Sequence, residues 1–328
     1  MNIQLKKVAV MTSGGDSPGM NAAIRAVVRT CAYYKVLCVG VYQGYQGMIE
    51  GNFVDMDARS VNNIINKGGT MLQSARSMEF MTLEGRAKAH ANLVAEGVEG
   101  VIVIGGDGTF TGALIFNQEH NFPIIGIPCT IDNDIYGTQF TLGYDTALNT
   151  VVEAIDKIRD TASSHNRLFF VEVMGRDAGF IALNAGVGAG AEEILIPEEN
   201  IGLDKMLESL IKSKESGKTS SIVVVAEGEK IGKNIFQLAE YVEENLPEYD
   251  VRVSVLGHMQ RGGAPSCFDR VLASRFGVSA VELLLTGSSN LMVGFVNNEV
   301  KYTPLEKAVK KHHKIDEELL RVSEIMTT

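Results

Sequence analysis

The sequence predicts an α/β protein built mainly on parallel sheets, and three observations support this prediction. Short apolar runs of strand type alternate with longer segments whose apolar residues repeat at helical spacing, as in parallel sheets joined by helices. Glycine-rich or acidic loops follow three of these apolar runs. With 328 residues the chain is also too long for a comfortable single core, so we expect two domains.

The composition is that of a compact globular protein. Hydrophobic residues make up 45% and charged residues 21%, which excludes a largely disordered chain. The net charge of -10 has the wrong sign for a protein that mainly holds nucleic-acid phosphates, so any phosphate site must be local. Cys31, Cys38, Cys129 and Cys267 show neither zinc-ligand nor disulfide-framework spacing. With no signal peptide or membrane-spanning run apparent, we expect a cytoplasmic location.

The first predicted strand, at 8–11, leads into a glycine-rich loop and a helix at 19–34. Gly14 and Gly15 let backbone amides approach a ligand, and a helix start carries partial positive charge, so this loop suits a phosphate. A plain strand-to-helix turn explains it equally well. The segments predicted next are a strand at 36–42, a glycine-rich loop at 44–52, a short helix at 60–66 and a helix at 84–96.

A second apolar run, at 101–104, ends in Gly105-Gly106-Asp107-Gly108-Thr109. This loop lacks the Gly-Lys-Ser/Thr ending of a Walker A motif. Asp107 can instead hold Mg²⁺, directly or through water, while the backbone amides that the glycines leave accessible bind phosphate oxygens. No dinucleotide fingerprint is present, which disfavours a hydride-transfer enzyme.

The third apolar run, at 122–127, leads into Pro128-Cys129-Thr130-Ile131-Asp132-Asn133-Asp134. An isolated Asp-Asn-Asp is more often a turn, because these side chains bond to nearby backbone. However, ligands of open α/β sheets bind outside the carboxyl ends of the strands. Three such loops therefore favour a substrate crevice lined by Asp132 and Asp134.

A long helix at 142–162 is predicted to cross into the second domain. Strands follow at 168–174, 194–197, 221–226 and 251–256, with helices at 203–214 and 235–246 between them. The polar residues expected at the mouth of this second sheet are Arg176, Glu227, His258 and Arg261. The final segments predicted are a long helix at 267–285, a last strand at 290–296 and a solvated surface helix from 305.

Five motifs show which family the chain resembles. They are Thr12-Ser13-Gly14-Gly15-Asp16-x-Pro18-Gly19-Met20-Asn21, Gly105-Gly106-Asp107-Gly108-Thr109, Pro128-x-Thr130-Ile131-Asp132-Asn133-Asp134, Met174-Gly175-Arg176 and Leu256-Gly257-His258-x-Gln260-Arg261-Gly262-Gly263. In this order and spacing they resemble the bacterial ATP-dependent 6-phosphofructokinases. The resemblance implies a homotetramer whose subunits have two Rossmann-like three-layer α/β domains, with the active site in the cleft between them. We assign 1–142 with 259–309 to ATP and Mg²⁺, and 143–258 with 310–328 to fructose 6-phosphate.

The resemblance also implies the reaction, which is transfer of the γ-phosphoryl group of ATP to the 1-hydroxyl of fructose 6-phosphate, a step of glycolysis. Asp132 looks like the base that accepts the hydroxyl proton, with Thr130 beside the transferring group and Asp134 in support. Asp107 is similar to the Mg²⁺ ligand, and Arg176 to the arginine that meets the transferred phosphate.

The remaining contacts are implied by the same motifs. Those similar to ATP contacts are Gly15, Arg76, Ser77, Gly106, Gly108 and Thr109, although Arg76 by its spacing alone would be a solvated surface residue. Those similar to sugar-phosphate contacts are Thr130, Asp132, Met174, Gly175, Arg176, Glu227, Arg167, Arg252, His258 and Arg261. In the family, Arg167 and Arg252 reach across from a neighbouring subunit.

Three other functions share part of these features. They are a pyrophosphate-dependent phosphofructokinase, a lipid or NAD kinase with the Gly-Gly-Asp-Gly loop, and a catalytically silent nucleotide sensor. The sugar-phosphate set disfavours the lipid and NAD kinases, and the intact Asp132 disfavours the sensor. Gly108 favours ATP as the donor, since pyrophosphate-dependent enzymes tend to carry Asp at this position. At the position of Cys129, pyrophosphate-dependent enzymes tend to carry Lys and ATP-dependent enzymes commonly carry Gly, so Cys129 matches neither.

A regulatory site for ADP or phosphoenolpyruvate is implied as well. Its residues here are Arg25, Arg29, Arg159, Glu192 and Lys218. Ala58 and Ser216 stand where the family usually has basic residues, although Arg59 and Lys214 lie close by. We therefore expect weakened allosteric regulation.

Overall fold

The computed structural model describes residues 5–164, 167–199, 202–217, 221–230 and 232–326. By contacts the chain divides into two units, Met1–Thr146 with Arg261–His313 and Ala147–Gln260 with Lys314–Thr328. Within the described residues, no helix combines the length and apolar character needed to cross a membrane. The Lys218 predicted at the regulatory site lies outside the described residues.

The described strands and helices alternate through most of the chain. The strands are β1 (Lys7–Thr12), β2 (Leu37–Val41), β3 (Phe53–Met56), β4 (Gly100–Gly105), β5 (Ile124–Pro128), β6 (Arg167–Val173), β7 (Glu193–Leu195), β8 (Ser221–Ala226), β9 (Asp250–Val255), β10 (Leu291–Val296) and β11 (Glu299–Pro304). The helices are α1 (Met20–Tyr33), α2 (Gly44–Glu50), α3 (Leu83–Ala95), α4 (Asp107–His120), α5 (Tyr144–Ser163), α6 (Phe180–Ala189), α7 (Gly202–Glu215), α8 (Ile235–Asn245), α9 (Cys267–Leu285), α10 (Leu305–Lys310) and α11 (Glu317–Met326). Short 3₁₀ helices lie at Glu79–Met81 and Gly257–Arg261.

The first unit is organised around a seven-stranded sheet in the order β11-β10-β5-β4-β1-β2-β3. Its five inner strands are parallel, and both edge strands are antiparallel to their neighbours. The chain adds β2 on one side of β1 and β4 on the other, so the strand order reverses between β1 and β4. At such a switch point the loops after the two strands diverge and leave a crevice for a ligand.

Both faces of this sheet are covered, which explains why its strands are continuously apolar. Along β1, Val8 and Val10 pack into one core while Ala9 and Met11 pack into the other, as the period of two along a strand requires. Helices α1 and α9 pack together and supply the first core. Helices α2, α3 and α4 supply the second. The unit therefore has three layers, as predicted for an α/β fold.

The second unit contains four parallel strands in the order β7-β8-β6-β9. On one face, Leu168 and Phe170 of β6 pack with Met206 of α7 and Leu238 of α8. Since β8 and β9 lie on opposite sides of β6, the strand order reverses here too. The segments after β6, β8 and β9 therefore emerge at one edge of the sheet.

Two predictions between β2 and α3 are wrong. The predicted loop at 44–52 is a helix, α2, followed by β3; Gly47 is needed there for packing, because a Cβ would overlap the carbonyl oxygen of Tyr42. The predicted helix at 60–66 is a series of turns. Asp57 Oδ1 accepts bonds from the amides of Arg59 and Ser60, both at 2.8 Å, and this local turn replaces helical bonding.

The end of the chain also differs from the prediction. The strand predicted as the last is followed by β11, whose sequence Glu-Val-Lys-Tyr-Thr-Pro mixes polar and apolar residues at a sheet edge. The segment from 305 is not one solvated helix. In α10, Leu305 and Ala308 are buried, and a short extended stretch separates α10 from α11.

Candidate functional site

The loops after β1 and β4 are packed directly against each other. Ser13 donates its amide to the carbonyl of Ile104 at 3.0 Å, and Thr109 Oγ1 donates to the carbonyl of Ser13 at 3.1 Å. Only glycine fits at position 105, since a Cβ there would overlap Thr109 Oγ1 and lie 2.5 Å from the Ser13 carbonyl. Gly14 has φ 87, which favours glycine as well. Glycines thus bring the two switch-point loops together.

Helix α4 begins directly at this point. Asp107 is its first residue, and the preceding Gly106 has no side chain with which to cap the helix. Asp107 and Gly108 are exposed, whereas Thr109 is buried under the loop. Amides of the first turn are not bonded within a helix, and together with its dipole they suit a phosphate. The structure therefore places Gly106, Asp107, Gly108 and Thr109 together at a helix start that suits an anion.

The segment after β5 brings the predicted base to the same edge of the sheet. Cys129 donates its amide to the Gly105 carbonyl at 3.0 Å, and a Cβ at Gly106 would lie 3.8 Å from Thr130 Cβ. Asp132 is only 6% exposed, and its amide donates to Thr130 Oγ1 at 3.2 Å. Thr130 and Asp132 are thus held beside the β4 loop.

The segment at 141–142 also holds this loop in place. Leu142 donates its amide to the Pro128 carbonyl at 3.0 Å and accepts from the Thr130 amide at 3.1 Å. Thr141 Oγ1 donates to the Thr130 carbonyl at 2.6 Å. Asn133 has φ 52, and its Oδ1 accepts from the Thr141 amide at 2.9 Å. The loop that carries the two acids is therefore held by a network of bonds.

The buried carboxylate of Asp269, in the first turn of α9, supports the same region. It accepts from the amide of Gly143 at 3.0 Å and from the amide and hydroxyl of Thr146 at 2.9 and 2.5 Å. Burial raises the pKa of Asp269 to about 6, because the effect of burial is larger than the lowering of the pKa by the hydrogen bonds from Thr146 and Gly143.

The predicted nucleotide contacts at Arg76 and Ser77 lie in a loop that adjoins β1. Ser74 Oγ donates to the Gly14 carbonyl, and Thr12 Oγ1 donates to the Gln73 carbonyl at 2.8 Å. Ser77 Oγ donates to Gln46 Oε1 at 2.7 Å, and Arg76 is exposed. These bonds place the loop beside the glycine-rich turn after β1.

In the second unit, the segment after β6 is tied to the residue after β8. Glu227 Oε1 accepts from the amides of Gly175 and Arg176 at 3.3 and 2.6 Å. Arg176 has φ 57 and an exposed guanidinium. The Met174 amide donates to Gln260 Oε1 at 3.2 Å, next to the exposed His258. The structure therefore brings Met174, Gly175, Arg176, Glu227 and His258 to one edge.

Arg167 lies at the other end of this sheet, and Arg252 lies on β9 opposite Phe169 of β6. Arg167 is the first residue of β6, a strand of seven residues, so roughly 20 Å separates it from the Met174 edge. Both arginines bind Asp250, through Arg167 Nε at 2.7 Å and Arg252 Nη2 at 2.6 Å. Within the second unit, Arg167 is thus apart from Met174, Gly175 and Glu227.

Arg261, which we expected at the mouth of the second sheet, contacts the glycine-rich loop after β1. It belongs to the first unit, and its Nη1 donates to the Asp16 carbonyl at 3.2 Å. A Cβ at Gly15 would lie 2.8 Å from this guanidinium. Arg261 therefore lies over the glycine-rich loop after β1.

The predicted regulatory residues are divided between the units. Arg25 and Arg29 lie one turn apart on α1, and Arg29 Nη2 donates to Asn62 Oδ1 at 3.2 Å. Burial, followed by the charge of Arg29, lowers the pKa of Arg25. In the second unit Arg159 lies 3.4 Å from the buried Glu192 and donates to the Gly190 carbonyl at 2.7 Å.

Asp107 can hold a metal ion only with help from a ligand. Among the described residues, no group of three or more His, Cys, Asp or Glu side chains could hold a metal ion by itself. Mg²⁺ is commonly bound by one or two carboxylates together with substrate phosphates and water. An exposed carboxylate at a helix start that suits phosphate fits this kind of site.

Several supporting residues had not been predicted. Thr141 and Asp269 lie outside the five motifs, and the bonds of Asp269 join segments more than 120 residues apart in the sequence. Tyr45, whose hydroxyl donates to the Thr109 carbonyl at 2.5 Å, lies in the segment that we predicted as a loop.

Comparisons with known proteins agree on one family. The family model described as Phosphofructokinase matches residues 7–284. The chain is 55% identical over 322 residues to ATP-dependent 6-phosphofructokinase 1 of Thermus thermophilus, covering 98% of this chain and 99% of that protein. It is 50% identical over 318 residues to ATP-dependent 6-phosphofructokinase 2 of Bacteroides thetaiotaomicron, covering 97% of each.

Solved structures are similar in fold. Phosphofructokinase from Saccharomyces cerevisiae matches with a TM-score of 0.86 and 37% identity over 98% of this chain, which spans 46% of that longer chain. The pyrophosphate-dependent phosphofructokinase from Marinobacter aquaeolei matches with a TM-score of 0.85 at 22% identity, over 95% of this chain and 86% of that one.

Proposed function

The chain belongs to the phosphofructokinase family, and we propose that it transfers the γ-phosphoryl group of ATP to the 1-hydroxyl of fructose 6-phosphate. The observation that carries this proposal is the position of Asp132. It follows a strand of the central sheet, is bonded through Thr130 and lies beside the loop that opens α4. Phosphoryl transfer needs positioned phosphates, charge neutralisation and one acceptor for the hydroxyl proton.

In the first unit, the amides at the start of α4 and the glycine-rich loop after β1 bind the phosphates of ATP. Arg76 and Ser77 bind the nucleotide from the adjoining loop. The Asp132 carboxylate accepts the proton of the sugar hydroxyl, and Thr130 and Asp134 keep the reacting groups in place. Asp107 would hold Mg²⁺, which would supply positive charge to neutralise the phosphates.

In the second unit, Met174, Gly175 and Glu227 bind the sugar, and Arg176 neutralises charge on the transferred phosphate. His258 and Arg261 are the residues that bind the 6-phosphate. Arg167 of β6 and Arg252 of β9 bind the 6-phosphate from a neighbouring subunit. The proposal also includes a homotetramer, the assembly that the resemblance to the family implies.

Two further features belong to the proposal. ADP and phosphoenolpyruvate are the effector molecules that the residues on α1 and α5 would bind. A cytoplasmic location is consistent with the free thiols of Cys31, Cys38, Cys129 and Cys267.

The first experiment compares ATP with pyrophosphate as the donor in a coupled assay on fructose 6-phosphate. Activity with ATP should exceed activity with pyrophosphate. Pyrophosphate activity equal to or above that with ATP would contradict the proposal and favour a pyrophosphate-dependent enzyme, which Cys129 leaves open.

Gly108→Asp tests the basis of this donor preference. Position 108 is exposed, and a Cβ there has no heavy atom within 4 Å, so the fold accommodates a side chain. We expect ATP-dependent turnover to fall at least about tenfold, because the added carboxylate repels the α-phosphate. Gly108→Ala is the matched control and should retain most of the activity. Similar activities of the two variants would show that charge at position 108 does not select the donor.

A further inference from the structure

The segment that follows β11 forms a strap in the first unit, which we define as residues 305–313. Its helix, α10, packs against α4 and buries Leu305 and Ala308 in the core that also contains Ile135. After α10 the strap becomes extended and reaches the loop that carries Asp132 and Asp134. The strap thus contacts both the helix that begins at Asp107 and the loop of the proposed base.

The extended part of the strap pairs with the backbone after Asp132. His312 forms an antiparallel bridge with Ile135, and the amide of His313 donates to the Asp134 carbonyl at 3.1 Å. The ammonium group of Lys311 lies 5.0 Å from the centre of the Tyr136 ring. Three consecutive residues of the strap therefore run along residues 134–136.

The side chain of His313 extends this pairing by one residue towards the base. Its Nδ1 lies 3.0 Å from the carbonyl oxygen of Asn133. Because a carbonyl oxygen only accepts, Nδ1 must carry the proton and donate.

Asn133 is the residue through which a loss of this bond would reach Asp132. It is 3% exposed and has φ 52, a conformation that asparagine adopts but that needs support from its surroundings. Its side chain already bonds to Thr141 and Gln139 on one side of the loop. His313 holds the carbonyl on the other side.

We propose that His313 is a positioning residue for phosphoryl transfer, which holds the backbone of Asn133 and Asp134 and so fixes the direction of the Asp132 carboxylate. This inference rests on the proposed function. A general base acts only within hydrogen-bond reach of its proton, and small displacements of reacting groups lower the rate of the chemical step. Loss of the His313 bond should therefore lower kcat with little change in KM.

Three variants separate positioning from general structural support. His313→Asn keeps a donor at the δ position, whereas His313→Leu removes it at similar volume. His312→Leu is the matched control, since the side chain of His312 is exposed and the substitution leaves His313 in place. We expect kcat of His313→Leu to fall about five- to tenfold with both KM values within about twofold, and His313→Asn and His312→Leu to stay within about twofold of the parent.

The inference is overturned if His313→Leu retains the parental kcat, if His313→Asn is impaired equally, or if the loss lies in KM alone. The activity of the parent with ATP and fructose 6-phosphate is measured first. An inactive parent would refute the proposed function, whereas an active parent with an unimpaired His313→Leu would refute only the role of His313.

A second readout does not depend on activity. In the protein labelled with ¹⁵N-histidine, the signal that disappears in His313→Asn should show a protonated Nδ1 from pH 6 to 8. An unprotonated Nδ1 at pH 8 would contradict the bond to Asn133 and with it the proposal.

Discussion

Asp132 combines two properties that a general base needs. It is almost completely buried, yet it follows β5 at the carboxyl edge of the sheet, where ligands of this fold class bind. Its position is fixed by Thr130 on one side and by the bonded backbone of Asn133 on the other. A residue with only a structural role would not need to lie beside the start of α4.

Asp132→Asn tests this role directly. We expect turnover to fall about 10²- to 10⁴-fold, because the amide cannot accept the proton, while substrate binding changes little. Steady-state kinetics with each substrate varied in turn measures both effects. Asp55→Asn, an exposed residue of the edge strand β3, is the control and should be unaffected. A loss in turnover smaller than tenfold in Asp132→Asn would rule out the role.

At the scale of single elements, α5 depends on a carboxylate from another helix. The residue before α5 is Gly143, which has φ 95 and no side chain, and a Cβ there would overlap Ser17 Oγ. Asp269 of α9 bonds instead to the amides of Gly143 and Thr146, as a capping side chain would. Helix α9 thus supplies the cap that the sequence of α5 lacks.

This cap makes stability depend on pH in a defined direction. Burial raises the pKa of Asp269 from 3.8 to about 6, so the folded protein binds this proton more tightly than the unfolded chain. The stabilisation from this group is full below pH 3.8 and is lost as the pH rises through about 6. Over that window it amounts to about 3 kcal/mol, at about 1.4 kcal/mol per pKa unit.

Asp269→Asn cannot ionise and should lack this dependence. We expect the parent to lose stability relative to the variant as the pH rises from 4.5 to 7.5. Thermal unfolding midpoints of both proteins at intervals of one pH unit measure the difference, in which the titration of other groups cancels. A difference that stays constant with pH would show that Asp269 has an ordinary pKa.

Elements with strong apolar patterns were predicted well from the sequence. The predicted helix at 267–285 is confirmed as α9, and β1, β4 and β8 lie within one residue of their predicted bounds. The edge strands β3 and β11 were missed because nearly all of their residues are exposed or half-buried, which leaves their patterns mixed. Helix α2 was missed because its glycines suggest a loop, although Gly47 is there to let the helix approach Tyr42.

The candidate site was predictable only where residues form motifs. The loops after β1, β4 and β5 were expected at one edge of a sheet, and the strand order places them there. Asp269 and His313 could not be found in this way. Each acts on a segment more than 100 residues away, and neither lies in a segment whose composition or spacing suggests a ligand.

At the scale of the whole molecule, we expect regulation to be weaker than in the rest of the family, because Ala58 and Ser216 stand at two positions where basic residues are expected. Ala58 is exposed and carries no charge. Lys214 is near enough in sequence to replace the basic side chain that is missing at Ser216. Its Nζ, however, lies 2.9 Å from Glu248 Oε1 and over the Tyr249 ring. Its charge is therefore already engaged. Each lost charge-assisted bond to an effector phosphate costs about 1.5–3 kcal/mol, or roughly ten- to a hundredfold in affinity.

We therefore expect weak regulation by phosphoenolpyruvate and ADP. The measurement is a fructose 6-phosphate saturation curve with and without either effector at millimolar concentration. Ala58→Arg restores one charge at an exposed position and should strengthen inhibition by phosphoenolpyruvate. Strong sigmoidal inhibition of the parent, relieved by low concentrations of ADP, would show that the two missing charges do not matter.

The strand order of the first unit also has a consequence for biosynthesis. β10 pairs with β5, although about 160 residues separate the end of one strand from the start of the other. During translation at about 5–20 residues per second, β5 therefore waits on the order of ten seconds for its partner. Throughout that time a wholly apolar strand forms an open sheet edge on the ribosome, and such an edge can pair with other nascent chains.

The second unit, whose four strands lie within residues 167–255, can complete its sheet before the first does. The part of the chain that is synthesised first is thus the last to close, and this delay is the step at which chaperones would have the most to protect.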